Sequence, residues 1–109
     1  MTSSNLRFDD LQEASDLVSR IWEAGTLFCL RDRTARYAEV GRWLATWSGS
    51  RPSDSAVTRA LKRLQRAGFV AQSDGSRERR RGMYTITAAG RQRVDRITSL
   101  IGTLNAQGQ

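Results

Sequence analysis

The order of segments between Ser53 and Gly90 constrains the fold of this chain more than any other feature. An amphipathic segment leads into a short apolar run, an arginine-rich stretch, a β-branched and aromatic run, and a final amphipathic segment. Val57, Leu61 and Leu64 recur at spacings of four and three residues, which predicts a helix with one buried stripe. The sequence therefore predicts a helix, a strand, a basic turn, a strand and a helix, in that order.

The other face of the first of these helices carries hydroxyl groups and cations, namely Ser55, Thr58, Arg59, Lys62, Arg63 and Arg66. A helix with an apolar side against a small core and a cationic, donor-rich side suits the major groove of B-DNA. The pattern is typical of a winged helix-turn-helix. We therefore predict a fold that is mainly α with a small β-hairpin, with N- and C-terminal helices that dimerise.

Length and charge limit the possible classes of protein. A chain of 109 residues has room for one domain with a modest core, and domains this small often complete their burial by pairing. Eighteen Lys and Arg residues against 11 Asp and Glu give a formal charge of +7, which predicts attraction to a polyanion, with double-stranded DNA as the leading partner. No apolar run approaches the roughly 20 residues of a membrane span, and no secretory signal pattern opens the chain. We expect a cytoplasmic protein with no membrane partner.

The residue types that most enzymes and metal sites require are scarce. The chain has no histidine and a single cysteine, Cys29, so it lacks a zinc ligand set, a histidine-based triad and an intramolecular disulfide. Cys29 lies in an apolar stretch, and we interpret it as a small buried residue rather than a sensing thiol. We predict no catalytic residue, no metal and no cofactor, and thus a protein that is not an enzyme.

We predict one domain over residues 1–109, divided into four blocks. They are an N-terminal helical block at about 6–33, a helix-turn-helix at 34–68, a wing at 69–87 and a C-terminal helix at 88–106.

Local signals set the expected ends of the helices. Asp9 or Asp10 is the expected cap of the first block and gives it an acidic first turn, and Gly68 is placed to end the helix before the wing. Two alternatives stay open for the first block, one continuous helix or two helices divided at Gly25, because glycine costs about 1 kcal/mol in a helix interior. The predicted caps of the later helices are Thr34, Ser53 and Thr87.

Apolar stripes in the first and last helical blocks are wider than a compact core of this size needs. We expect them to pair two copies of the chain in a homodimer. The residues assigned to this contact are Leu11, Leu17, Val18, Ile21, Val94, Ile97, Ile101 and Leu104.

The helix that begins at Ser53 is the expected reader of base sequence. Its N-terminal half enters the groove most deeply in helix-turn-helix proteins, so we assign Ser55, Thr58 and Arg59 to base edges. Lys62 and Arg63 are assigned to phosphates, and Ser53 at the start of the helix is also assigned to the DNA contact. For an isolated helix, a solvated charged face is the simpler interpretation, but the flanking cap, support helix and basic hairpin favour DNA contacts.

The wing carries a run of cations, which are Arg77, Arg79, Arg80 and Arg81. Repulsion among neighbouring cations is relieved most readily by a phosphate backbone, so we assign these residues to phosphate contacts. The alternative is a solvated turn in the free protein.

Trp43 and Trp47, four residues apart, are interpreted as core or dimer contacts rather than as a ligand pocket, and no effector is assigned.

Three motifs resemble those of the HxlR-type winged-helix transcriptional regulators, in the same order and at nearly the same spacing. They are R-Y-A-E-V at Arg36 to Val40, V-T-R-A-L-K-R-L at Val57 to Leu64 with A-G-F-V at Ala67 to Val70, and Y-T-I-T-A-A-G at Tyr84 to Gly90. Trp22 also matches, and MarR and PadR regulators use similar patterns. The resemblance covers roughly Leu17 to Val94. It implies a homodimeric DNA-binding regulator with the helix from Ser53 to Ala67 in the major groove and the wing near the backbone or minor groove.

The chain departs from that family at three places. Ser19, Arg20 and Ile21 replace a glycine-rich turn, which favours a longer continuous helix. Extra residues that include Trp47, Ser48 and Gly49 lengthen the connection between the second and third helices, and no cysteine lies near the start of the chain. The sequence leaves two functions open. One is a sequence-specific DNA-binding regulator, and the other is a winged-helix protein-interaction module with only nonspecific affinity for nucleic acid or none.

Overall fold

The computed structural model describes residues 7–73 and 82–107. In chain order the elements are α1 (Phe8–Arg31), β1 (Ala35–Arg36), α2 (Tyr37–Ser48), α3 (Asp54–Arg66), β2 (Val70–Gln72), β3 (Met83–Ile86) and α4 (Ala88–Gln107). The strands form one antiparallel sheet in the order β1-β3-β2. The predicted fold class, mainly α with a small β-hairpin in a winged helix-turn-helix, is confirmed.

The sheet contains the predicted hairpin and one additional strand. Within the hairpin Val70 lies opposite Ile86 and Gln72 lies opposite Tyr84. On the other side of β3, Ala35 also lies opposite Tyr84. β1 was not predicted because a two-residue strand carries no periodic pattern and is defined by a partner almost 50 residues away.

The core forms where the C-terminal half of α1 crosses the other elements. Leu27 and Leu30 of α1 pack in one cluster with Leu44 of α2, Leu61 of α3 and Val94 of α4. α1 is a single helix, so the alternative of two helices divided at Gly25 is wrong. A Cβ atom at that position would lie 2.5 Å from Trp47 Cζ3 and 2.8 Å from Leu44 Cδ2, so the glycine is needed where α1 and α2 touch.

Two of the predicted helix caps are confirmed. Ser53 Oγ accepts a hydrogen bond from the Ala56 N–H at 3.1 Å. Thr87 Oγ1 accepts one from the Gly90 N–H at 3.1 Å. Gly68, with a φ of +81°, lies just past the end of α3, as a C-terminal glycine should.

The other two predicted caps are wrong. α2 begins at Tyr37, because residues 35 and 36 pair with β3, and Thr34 therefore lies too early to cap it. The first turn is closed instead by Glu39, whose Oε1 atom accepts a hydrogen bond from the Arg36 N–H at 3.0 Å. Asp9 and Asp10 lie inside the first turn of α1, whose N-cap position is Arg7. There they form the predicted acidic first turn, where their negative charges interact favourably with the helix dipole without capping the helix.

Gly90 is the glycine at which an added methyl group should be least tolerated. A Cβ atom there would overlap the Phe69 carbonyl oxygen and lie 2.6 Å from Ile86 Cγ1. We expect Gly90→Ala to lower the free energy of unfolding by about 1–3 kcal/mol, because the backbone that it meets cannot rotate away. Gly102→Ala is the matched control in the same helix, since nothing lies within 4 Å of its Cβ position. It should raise stability by up to about 1 kcal/mol. Urea unfolding of both variants measures the difference, and equal effects would contradict the packing described for Gly90.

Candidate nucleic-acid interface

The exposed face of α3 is cationic and lies opposite the face that enters the core. Val57, Ala60, Leu61 and Leu64 are buried. At 3.6 residues per turn, the centre of the opposite face is formed by Ser55, Arg59, Lys62 and Arg66, all exposed. Arg66, which the sequence placed on the cationic face without a role of its own, shares this face with Arg59.

The N-terminus of α3 is hydrogen-bonded to the first residue of α2. The Tyr37 hydroxyl donates a hydrogen bond to the Asp54 carbonyl oxygen at 2.6 Å and lies 3.1 Å from Thr58 Oγ1. A phenol has one proton to donate, so in this pair the Thr58 hydroxyl is the donor to Tyr37. The half-buried Thr58 side chain thus uses its proton within the protein, which leaves its methyl group and oxygen lone pairs for other contacts.

Arg59 lies along its own helix. Its Nε atom donates a long hydrogen bond to the Ser55 carbonyl oxygen at 3.4 Å. The side chain also lines an open cavity of about 440 Å³ between α1 and the start of α3, together with Trp22 and Arg51. The Arg59 side chain therefore lies near the N-terminus of α3. At this end of the helix Ser53 Oγ lies 3.2 Å from Ser55 Oγ.

Arg63 lies on the flank of α3 that faces α1 rather than at the centre of the exposed face. Its Nη1 atom is 3.7 Å from Glu23 Oε2 in α1. Lys62, its neighbour in sequence, is exposed on the open face. Lys62 and Arg63, which the sequence analysis assigned together to phosphates, thus have different surroundings.

The predicted wing cations, Arg77, Arg79, Arg80 and Arg81, lie outside the described residues. The described flanks are β2 and β3, which pair as an antiparallel hairpin. The Ser73 N–H donates to the Met83 carbonyl oxygen at 2.9 Å, next to the segment that contains these arginines.

Most of the apolar residues that were assigned to dimerisation are exposed in the single chain. The α1 residues Leu11, Leu17, Val18 and Ile21 are about half exposed, as are Ile101 and Leu104 of α4. Ile97 is half-buried. Val94 is 1% exposed because it packs in the core, so its assignment to a dimer contact is corrected. Phe8 and Leu100, which were not assigned to the dimer contact, extend the exposed apolar surface of the same two helices.

Cys29 is buried, which confirms its interpretation as a core residue. Burial raises the pKa of its thiol from 9.0 to about 11, although the nearby Arg33 charge acts in the opposite direction. The thiol is therefore protonated at neutral pH and is a poor nucleophile.

Trp43 and Trp47 stack with their ring centroids 5.7 Å apart. Trp47 lies against Gly25, so the tryptophan pair forms part of the contact between α1 and α2.

Across residues 7–73 and 82–107, no cluster of His, Cys, Asp and Glu could hold a metal ion. Within the same ranges no helix is long and apolar enough to cross a membrane.

The three-stranded sheet and the α2–α3 pair define a winged-helix regulator fold. Residues 38–96, more than half of the chain, match the model of the PadR-like family of transcriptional regulators. The chain therefore belongs to the PadR-like family.

A solved structure of a transcriptional regulator from Clostridium thermocellum is similar, with a TM-score of 0.70 and 18% sequence identity over 84% of this chain and 90% of that one. At this identity the likeness concerns the fold. No curated protein matches the chain.

Proposed function

We propose that the protein is a homodimeric, sequence-specific DNA-binding regulator that inserts α3 into the major groove. The observation that carries the proposal is the exposed face of α3, where Ser55, Arg59, Lys62 and Arg66 lie opposite a fully buried stripe. Membership of a transcriptional-regulator family supports DNA binding, and the formal charge of +7 supports a polyanionic partner. The motifs that resemble HxlR-type regulators support the same assignment, since both families use a winged helix-turn-helix.

Each side chain of α3 has a proposed role that follows from its surroundings. Arg59 and Ser55 contact base edges, because they are exposed near the helix N-terminus. Thr58 contributes its methyl group, which suits the thymine methyl, while its hydroxyl holds Tyr37. Lys62, Arg63 and Arg66 contact phosphates, and Ser53 lies at the helix N-terminus, where phosphate is favoured.

The arginine-rich segment between β2 and β3 is proposed to contact the phosphate backbone. Its four arginines lie within five consecutive residues, Arg77 to Arg81. Phosphate contacts position a protein on the duplex and strengthen its binding to every sequence alike. The segment therefore adds affinity, while α3 supplies the sequence preference.

The simplest test of DNA binding is a fluorescence anisotropy titration of a labelled random-sequence duplex at several salt concentrations. We expect the logarithm of affinity to fall linearly with the logarithm of salt concentration, with a slope of about −0.9 for each phosphate contact. Absence of binding at low salt would favour the alternative, a winged-helix module whose partner is a protein.

The proposed dimer joins the exposed apolar faces of α1 and α4 in two copies. We expect the double change Ile101→Glu and Leu104→Glu to produce monomers, because it places charges within an apolar contact. Both side chains are exposed in the single chain, at 46% and 57%, so the folded monomer tolerates the change, whereas Ile97 is half-buried and less suitable.

Light scattering at micromolar concentration measures the mass of each variant. The matched control is Ser99→Glu with Thr103→Glu, which adds the same charges on another face of α4 and should leave the dimer intact. A monomeric wild type, or dissociation by both variants alike, would contradict the proposed dimer contact.

A further inference from the structure

Glu23 of α1 has an incompletely satisfied carboxylate beside the proposed DNA-reading helix. Its Oε2 atom is buried and accepts no hydrogen bond within the described part of the chain. The same atom forms an ion pair with Arg63 Nη1 at 3.7 Å, which is longer than the distance of a hydrogen bond. This oxygen of the carboxylate is thus removed from water but lies at a long distance from its cation.

Arg63 is the partner that is able to move. The Glu23 side chain is 23% exposed, and Leu27, one turn further along α1, is anchored in the core. The Arg63 side chain is 62% exposed on a long flexible stem. A displacement that breaks this ion pair is therefore a rotation of Arg63 away from α1.

The electrostatic surroundings extend beyond one pair. Glu23 and Asp16, two turns apart on α1, line a cavity of about 120 Å³ together with Arg59 and Arg63 of α3. α1 thus contributes two acidic residues to a cavity that is also lined by two of the cations that we assign to DNA contacts.

We propose that Glu23 is a positioning residue that holds the Arg63 guanidinium against α1 in the free protein and thereby lowers the affinity of α3 for DNA. The inference rests on the proposed function, because it assigns Arg63 to a phosphate. A phosphate offers Arg63 charge-assisted hydrogen bonds of about 2.7–2.9 Å, a better geometry than the present ion pair. The transfer leaves the buried Glu23 oxygen without its cation, and this cost opposes binding.

Since a phosphate contact carries no sequence information, the restraint acts equally on all duplexes. Glu23 therefore sets the overall strength of DNA binding and leaves the preference for one sequence over another unchanged.

The test is the variant Glu23→Gln, which keeps the shape of the side chain and removes its charge. We expect its affinity for a labelled random-sequence duplex pool to rise about two- to fivefold per subunit, the range of a partly exposed ion pair. The plot of log affinity against log salt should steepen by up to about 0.9 per subunit, because Arg63 then reaches a phosphate without leaving a counter-charge behind.

Two controls separate the ion pair from the general effect of charge. Glu13→Gln makes the same change at an exposed site on α1 that does not line the cavity with Arg63, and it should change affinity less. In the Arg63→Ala background, Glu23→Gln should lose most of its effect, as a double-mutant cycle requires. Thermal unfolding of each variant checks that the fold is retained.

The possible outcomes are distinct. Wild-type protein that does not bind the pool contradicts both the proposed function and this inference. If the wild type binds but Glu23→Gln does not change the affinity, this inference alone is overturned. The same holds if Glu23→Gln raises the affinity equally in the wild-type and Arg63→Ala backgrounds.

Discussion

Changing Arg79, Arg80 and Arg81 together to glutamine should remove much of the salt dependence of DNA binding. Each phosphate contact contributes about 0.9 to the slope of log affinity against log salt. Loss of three contacts from each subunit of a dimer would therefore flatten the slope by roughly 5. Between about 50 and 200 mM salt, the wild type should lose on the order of a thousandfold more affinity than the variant. Anisotropy titrations of one duplex at four or more salt concentrations measure this difference.

The preference for one sequence over another should largely survive that change, because backbone contacts carry no direct sequence information. Arg96→Gln on α4 is a useful control, since it also removes a cation but from the helix that we assign to the dimer. It should leave the slope nearly unchanged. A triple variant that lost sequence discrimination while keeping the wild-type slope would show that the wing reads bases.

Arg59→Ala should weaken binding to the preferred duplex by about 1–3 kcal/mol and weaken binding to a scrambled duplex much less. The planar guanidinium of Arg59 is able to hydrogen-bond guanine O6 and N7 together, and alanine cannot replace that contact. Its exposed position one turn into α3 places it where helix-turn-helix proteins enter the groove most deeply. The variant should also relax the preference at one symmetric pair of base positions.

Arg66→Ala is the matched control for Arg59→Ala. Arg66 lies on the same exposed face but at the C-terminal end of α3, where we propose a phosphate contact. It should therefore weaken binding to preferred and scrambled duplexes alike. An equal loss on both duplexes for Arg59→Ala would instead make Arg59 a phosphate contact, and no loss on either would favour the protein-interaction module.

The helices and the hairpin were predictable because their sequence patterns record burial. The spacing of Val57, Leu61 and Leu64 matches the buried stripe of α3, and the β-branched residues of β3 match a strand. Ser53 and Thr87 were recognisable as caps because the bonds that they form lie within a few residues of sequence.

Features that depend on distant parts of the chain were not predictable in this way. β1 exists because it pairs with β3, and Gly25 is required by Trp47 and Leu44 rather than by a break in α1. Val94 continues the apolar stripe of α4 in sequence, but the first turns of that helix pack in the core while its later residues are exposed. Periodicity indicates which side of a helix is apolar and does not identify what covers it.

The candidate interface shows the same limit. The sequence indicated the cationic face of α3, because charge and helical spacing are local properties. It did not indicate that the Thr58 proton is directed to Tyr37 or that Arg63 faces Glu23, since both contacts arise where another helix approaches α3. These contacts give different surroundings to side chains that look equivalent in the sequence.

We propose that α3 reads DNA sequence from a symmetric dimer. Selection of bound duplexes from a random pool, followed by sequencing, tests it most directly. We predict recovery of one palindromic sequence whose half-sites lie about one helical turn, or a multiple of it, apart. Recovery of no preferred sequence, with equal affinity for selected and unselected duplexes, would contradict the claim.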